Sequence, residues 1–340
     1  LKKIFKIVAL VLLLILGFAI SYIYIAGPRF PSQVNKRIES VLKLELEQLK
    51  GETAFAKTGE CTIWYEVLSP KSTIKGDILL IMGIANDALA WPSYFLKALL
   101  DNGYRIIRFD NRGTGMTDWV EDWNKANPYD LEDMASDGIA ILDTLGIDSA
   151  HVFGVSLGGM IAQSMAIEYP DRVQTLISVM SSADIMDDQL PSMNMGIIHK
   201  LLLAYLKYGL FPSEKSQIKF QIASRNLLMG NESCDLDIED ISQTVLYNLR
   251  ERNGFNTKAS EQHIAATIKS GSRLTALQGL KIPSLIIHGK SDPLIPFQHG
   301  QKCATIIPGA DSLWLDGMGH DIPLIYLDEI ITAMLETMES

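Results

Sequence analysis

Apolar and polar positions divide the chain into stretches of different rhythm. The opening stretch is an almost pure apolar run from Ile7 to Ala26, preceded by Lys2, Lys3 and Lys6. About 20 residues make ~30 Å of helix, enough to cross a bilayer. The run predicts an N-terminal transmembrane helix within residues 1–27. A cleavable signal peptide is the rival reading, with Ala19-Ile20-Ser21 as its cleavage site. Its apolar region usually spans only ~7–15 residues, so length favours an uncleaved anchor. A buried core helix is a third reading, disfavoured because a helix apolar all round has no polar face for water. The leading lysines place that end in the cytoplasm and the body on the exported side, while Arg29, Lys36 and Arg37 beyond the run oppose this. Gly27-Pro28 ends the run. From Val34 to Lys50, Val34, Ile38, Val41, Leu42 and Leu49 fall on one stripe with Leu46 at its edge. That spacing predicts a helical spacer within residues 28–52, lying on the membrane or on the body.

From about Thr53 the rhythm shortens to strands. Ala54-Phe55-Ala56 and Thr62 to Val67 predict a strand pair with Gly59 in the turn. Further strands are expected at Asp77–Met82, Arg105–Asp110, His151–Phe153 and Val173–Met180. Helices are expected between them at Trp91–Asp101, Leu131–Leu145 and Met160–Ala166. Such alternation predicts an α/β fold, a mostly parallel sheet with helices on both faces. It stops at about Ala183. Residues 184–271 carry helical stripes, such as Ile197-Ile198 to Leu206 and Val245 to Leu249. A helical insertion there would lie over the carboxyl ends of the strands, where ligands bind in such sheets, and is read as a cap. The alternation resumes with strands at Ser284–His288 and Asp311–Leu315, and helices at Gln298–Ile306 and Pro323–Met338. The expected division is a core of 53–183 and 272–340 with a cap of 184–271 before the strand that carries Asp292.

Composition narrows the function classes. The 340 residues carry a formal net charge of −10, with no basic stripe outside the extreme N-terminus. Phosphate neutralisation needs such a stripe, so nucleic-acid binding is not expected. Cys61, Cys234 and Cys303 lie far apart without a C-x-x-C, and read as small buried hydrophobes rather than metal ligands or a disulfide framework. Neither a metal nor a cofactor is expected.

The chemistry centres on Gly154-Val155-Ser156-Leu157-Gly158, between a predicted strand and a predicted helix. This matches G-x-S-x-G, a strained strand-to-helix turn that lifts a serine hydroxyl clear of the sheet. The bare pattern arises by chance in roughly one chain of this length in ten; its context is much rarer. A serine hydroxyl needs a base, usually a histidine oriented by a carboxylate. The chain offers Asp292 after one late strand and His320, in Gly317-Met318-Gly319-His320-Asp321, after the next. Asp184, just past the strand ending at Met180, is the rival acid.

These motifs, in order, resemble the α/β-hydrolase superfamily over nearly everything from Gly59 onward. Met82-Gly83-Ile84, Ala90-Trp91-Pro92, Phe109-Asp110-Asn111-Arg112-Gly113-Thr114-Gly115 and Gly317 to Asp321 are similar to its aclacinomycin methylesterase-like group. The resemblance implies Ser156 as nucleophile, His320 as general acid–base and Asp292 as orienting acid. It implies an oxyanion hole made by the backbone N–H groups of Ile84 and Leu157. Met82 stands where the family usually has histidine. The implied activity is cleavage of small-molecule carboxylic esters, to which the apolar leading run adds a membrane tether. A cofactor-free haloperoxidase, a perhydrolase, a carbon–carbon bond hydrolase and a non-catalytic binding member remain alternatives. His151, His199, His263, His288 and His299 read as packing or surface residues. Asp110 to Gly113 reads as a loop bracing the serine turn. Met186, Met193, Met195 and Met229 could line a pocket or fill core and surface. Asn231-Glu232-Ser233 fits a glycosylation acceptor.

Overall fold

The structure is a computed structural model that describes residues 2–59, 61–210, 213–230 and 236–340. The Asn231-Glu232-Ser233 triplet and Cys234 lie outside the described residues, as do the side chains of Lys2 and Lys3.

Among the described residues eight strands form one sheet: β1 (Glu52–Thr58), β2 (Cys61–Leu68), β3 (Gly76–Ile81), β4 (Tyr104–Phe109), β5 (Ala150–Val155), β6 (Val173–Val179), β7 (Ser284–Gly289) and β8 (Asp311–Leu315). Their order is β1-β2-β4-β3-β5-β6-β7-β8. β1 and β2 pair antiparallel, β2 pairs antiparallel with β4, and the remaining neighbours are parallel. Twelve α-helices accompany them among the described residues: α1 (Lys2–Ala26), α2 (Ser32–Val41), α3 (Ser93–Asp101), α4 (Leu131–Leu145), α5 (Leu157–Glu168), α6 (Met195–Ala204), α7 (Glu214–Leu228), α8 (Ile238–Glu251), α9 (Ala259–Ser270), α10 (Leu274–Leu277), α11 (Phe297–Ile306) and α12 (Leu327–Met338).

The central strands are apolar on both sides because both faces are covered. Successive residues feed opposite cores. Leu79, Ile81, Val152, Leu176 and Ile286 pack with α4 and α5; Ile78, Leu80, Phe153, Ile177 and Ile287 pack with α3 and α12. Between β6 and β7 the described residues form helices and turns, as the loss of alternation predicts.

Two expectations are corrected. The helix after the apolar run ends at Val41 instead of reaching Lys50. Beyond it, side chains of the body capture the backbone: Glu47 N–H donates to Gln243 Oε1, Leu49 C=O accepts from Arg108, and Gly51 N–H donates to Glu66. Those bonds replace the helical ladder. The final helix begins at Leu327, after a 3₁₀ turn over Leu324–Tyr326. The spacer's Ile38 and Val41 pack against Ile218, Ile222 and Val245 of α7 and α8, so it lies on the body.

The α1 segment Ile4–Ala26 is long and apolar enough to cross a membrane, with a mean hydropathy of 2.8 and none of that window buried. A core helix would be buried, and that window is not.

Candidate active site

Ser156 sits between β5 and α5 with φ 56° and ψ −121°, a left-handed conformation that costs a non-glycine residue of order 1–3 kcal/mol. The surrounding glycines are sterically required. A Cβ on Gly154 would lie 2.1 Å from Gly158 O, and one on Gly158 would lie 2.0 Å from Ile81 O. The turn therefore closes only if both positions lack a side chain. Its geometry places Ser156 at the head of α5, where Leu157 N–H, as the first helical amide, has no intrahelical acceptor.

Asp292 follows β7, and its side chain is fully buried. Its Oδ1 accepts from Leu294 N–H and Ile295 N–H at 2.8 and 2.9 Å, which fixes the carboxylate plane. Its Oδ2 lies 2.7 Å from His320 Nδ1 and 3.4 Å from His288 Nε2. Burial pushes this carboxyl's pKa up. The His320 charge and the hydrogen bonds to His288 and His320 outweigh it, holding the group well below the usual carboxylate range. The carboxylate fixes the ring through its Nδ1–H, and His320 borders the cavity.

The loop carrying His320 is held by the helical segment between β6 and β7. Gly319 N–H donates to Met229 O at 2.8 Å, and His320 N–H donates to Leu228 O at 2.6 Å. A Cβ on Gly319 would lie 2.1 Å from Leu228 O, which explains a glycine before the histidine. Ser156 and His320 line one cavity of about 150 Å³ with Gly83, Ile84, Trp91, Leu228 and others. Among the described residues no hydrogen bond joins their side chains. A larger open cleft of about 1160 Å³, bordered by Arg112 and Trp119, includes neither residue.

The loop after β3 borders the serine closely. A Cβ on Gly83 would stand 3.2 Å from Ser156 Cβ and 3.4 Å from Val155 O. The Ile84 N–H has no hydrogen-bond partner among the described residues. Ala85 beyond it has φ 56°, and its N–H donates to His263 Nδ1 at 3.1 Å. His263 in turn donates from Nε2 to Arg112 O at 2.8 Å. Burial lowers its pKa from an ordinary 6.5 to about 4. His263 thus stays neutral with one nitrogen accepting and the other donating. Stability from a histidine held neutral is complete above pH 6.5 and is lost as the pH falls toward 4, where the unfolded chain binds the proton first. The swing amounts to roughly 3 kcal/mol. Urea midpoints measured at pH 7 and pH 5 should therefore diverge, and His263→Gln should flatten that dependence.

The Asp110 to Gly113 loop braces this segment rather than the serine turn. Asp110 accepts from Ala88 N–H at 2.9 Å, and Asn111 donates to Met82 O at 2.9 Å. Arg112 pairs with Asp137 of α4.

Other candidates fall elsewhere. Asp184 accepts from Met186 N–H in a local turn and is no partner of His320. His151 bonds Thr175, and His299 bonds Ser182 and Pro191. His199 is exposed and bonds Tyr22. Met82 and Met180 line the cavity. Met186 and Met195 are surface residues, and Met229 is core. The Cys61 and Cys303 thiols are pushed by burial to about 12 and about 11, as inert packing residues would be. The roles of His263 and His288 escaped the sequence reading. His288 stands four residues before Asp292, a spacing that could have flagged it; nothing local marks His263.

A family model described as alpha/beta hydrolase fold matches residues 78–325, and the chain belongs to that family. Within it, the chain is similar to rhodomycin D methylesterase of Streptomyces peucetius, 27% identical over 83% of this chain and 96% of that one. It is also similar to a 2-hydroxy-6-oxononadienedioate/2-hydroxy-6-oxononatrienedioate hydrolase of Burkholderia vietnamiensis, 26% identical over 72% and 80%. Among solved structures, the meta-cleavage product hydrolase of Pseudomonas fluorescens shares the fold at TM-score 0.63 and 21% identity over 85% and 98% of the chains. An esterase of Exiguobacterium antarcticum does so at TM-score 0.60 and 19% identity over 85% and 100%.

Proposed function

We propose that the chain is a serine hydrolase that cleaves carboxylic esters through an acyl-enzyme. The observation that carries this reading is the 2.7 Å Asp292–His320 pair opening into the cavity that Ser156 borders. Ser156 Oγ attacks the ester carbonyl carbon while His320 Nε2 takes its proton. The buried Asp292 charge stabilises the imidazolium so formed. The tetrahedral oxyanion is held by the N–H groups of Ile84 and Leu157, and losing one such donor typically costs ~10²–10³ in rate. His320 returns the proton to the leaving alcohol. A water activated by the same imidazole then releases the acid. Hydroxyl-to-imidazole contacts often tighten only when substrate binds.

The similarity to a methylesterase favours ester cleavage, and the similarity to a dienedioate hydrolase keeps carbon–carbon bond hydrolysis as the second reading. The cavity is small beside the roughly 300–1,000 Å³ usual for ligand sites. Acetate and butyrate esters are therefore expected to turn over faster than octanoate or longer ones, checked by kcat/KM across a p-nitrophenyl series. The α1 helix is read as an uncleaved anchor with the body exported.

The experiment that tests the reading is labelling by a fluorophosphonate followed by peptide mapping. Modification at Ser156 is expected. Folded protein that stays unlabelled would favour the non-catalytic binding role.

A further inference from the structure

The helical segment between β6 and β7 presents an apolar stripe at the point where α1 meets the body. On α6 and the turn after it, Met195 is 73% exposed, Leu202 50% and Tyr205 38%, and Ile198 is half-buried among them. Their spacing is that of one helix face. Tyr205 rests edge-on against Phe220 of α7, while Met195 and Leu202 stand open to solvent.

Its position relative to α1 is fixed by hydrogen bonds. Tyr22 OH and His199 Nε2, on the edge of the stripe, are 3.0 Å apart. Lys207 Nζ donates to Tyr24 O and Gly27 O at 3.1 and 3.2 Å, and Tyr208 OH donates to Pro28 O at 2.9 Å. Tyr22 stands about 6 Å before the end of the apolar helix at the usual helical rise. A residue touching it lies at the depth of the lipid headgroups, where tyrosine is favoured.

The charge around this junction opposes that of the whole protein. Residues 28–43 and 192–222 carry eight Lys or Arg against two Glu, in a chain of net charge −10; of the eight, Arg37 pairs with Glu239 of α8 and Lys215 with Glu39. Arg29 and Lys219 each lie close enough to Lys207 to repel it, and Lys215 repels Lys219 while Glu39 opposes that repulsion. A basic collar around an exposed apolar stripe is the pattern of a helix lying in the interface of an anionic membrane.

We propose that α6 is a bilayer-docking helix that seats the body on an anionic phospholipid surface. The proposal rests on the reading of α1 as a membrane anchor. Docking leaves α7, which packs on α6 and lines the cavity through Gln221, Ser224, Arg225 and Leu228, one helix away from the lipid. Esters dissolved in the membrane would then reach Ser156 by a shorter path than esters in water.

The full chain is placed in nanodiscs of phosphatidylcholine, with or without phosphatidylglycerol, and spin-labelled at Leu202→Cys in a Cys234→Ser background. Ile268→Cys on α9, where Ile268 is 58% exposed, serves as the aqueous control. Oxygen-over-nickel accessibility at position 202 is expected to rise several-fold above the control, and further with phosphatidylglycerol. Chain retained in the discs with position 202 as water-accessible as position 268 overturns the docking and leaves the anchor standing. Chain that does not stay in the discs overturns both. Protection of position 202 only in discs holding two chains would assign the stripe to a second copy and overturn the lipid assignment.

Discussion

Ser156→Ala is expected to lower ester turnover by about 10⁴–10⁶. The loss is this large because the serine supplies the atom that becomes covalently bonded to the acyl group. What survives is catalysis by the oxyanion donors and by binding. Stability should hardly change. Ser156 Oγ has no hydrogen bond among the described residues, and the backbone conformation at φ 56° is set by the glycines around it. Steady-state rates on p-nitrophenyl butyrate, read beside urea unfolding, separate the two effects. Wild-type turnover in a folded variant would end the nucleophile assignment.

Arg252→Ala is expected to destabilise the fold by about 3–5 kcal/mol, the usual cost of stranding a buried charge. Arg252 ends α8 and is 3% exposed at its side chain. Its guanidinium pairs with Asp110, whose side chain is fully buried, and lies 3.5 Å from Asp87. It also stacks 4.4 Å from the Trp64 ring. Asp110 accepts from Ala88 N–H, and Asp87 accepts from Leu89 N–H. One cation from the helical segment thereby neutralises the two carboxylates that shape the loop carrying Ile84. Burial already pushes the Asp110 carboxyl up to about 7 beside this cation, so removing Arg252 drives it to take up a proton next to Asp87. Arg252→Lys should recover only part of the loss, because an ammonium cannot span both carboxylates and stack on an indole. Adding Asp110→Asn to Arg252→Ala should recover stability by removing a buried carboxyl left without its cation. Urea midpoints at pH 7 measure both. Turnover should fall along with stability as the Ile84 loop loosens, and a variant as stable as wild type would contradict the clamp.

Much of the site was legible because its chemistry is tied to local geometry. G-x-S-x-G encodes a turn, and its glycines sit where a Cβ would strike the neighbouring backbone. Asp292 and His320 each follow a strand, so the alternation of elements located them. The boundaries that failed were decided at a distance. The spacer helix stops at Val41 because Gln243, Glu66 and Arg108 claim the following backbone, and none of these is a sequence neighbour. The Asp110 loop likewise turned out to brace the Ile84 segment, a pairing that depends on which strands lie side by side.

By itself the sequence determined the alternating core, the apolar leading helix and the three residue types of the proposed triad, because periodicity and turn chemistry act over a few residues. Only the tertiary structure decided that His263 locks the Ala85 amide, that Arg252 joins Asp87 to Asp110, and that Met229 and Leu228 hold the His320 loop. It also gathered basic residues into a collar beside Tyr22, although no basic stripe shows along the chain. The physical reason is the same in each case. Buried hydrogen bonds and charge pairs are made through space between segments up to 228 residues apart, as Tyr94 and Ile322 are, and no local pattern records which segments will meet.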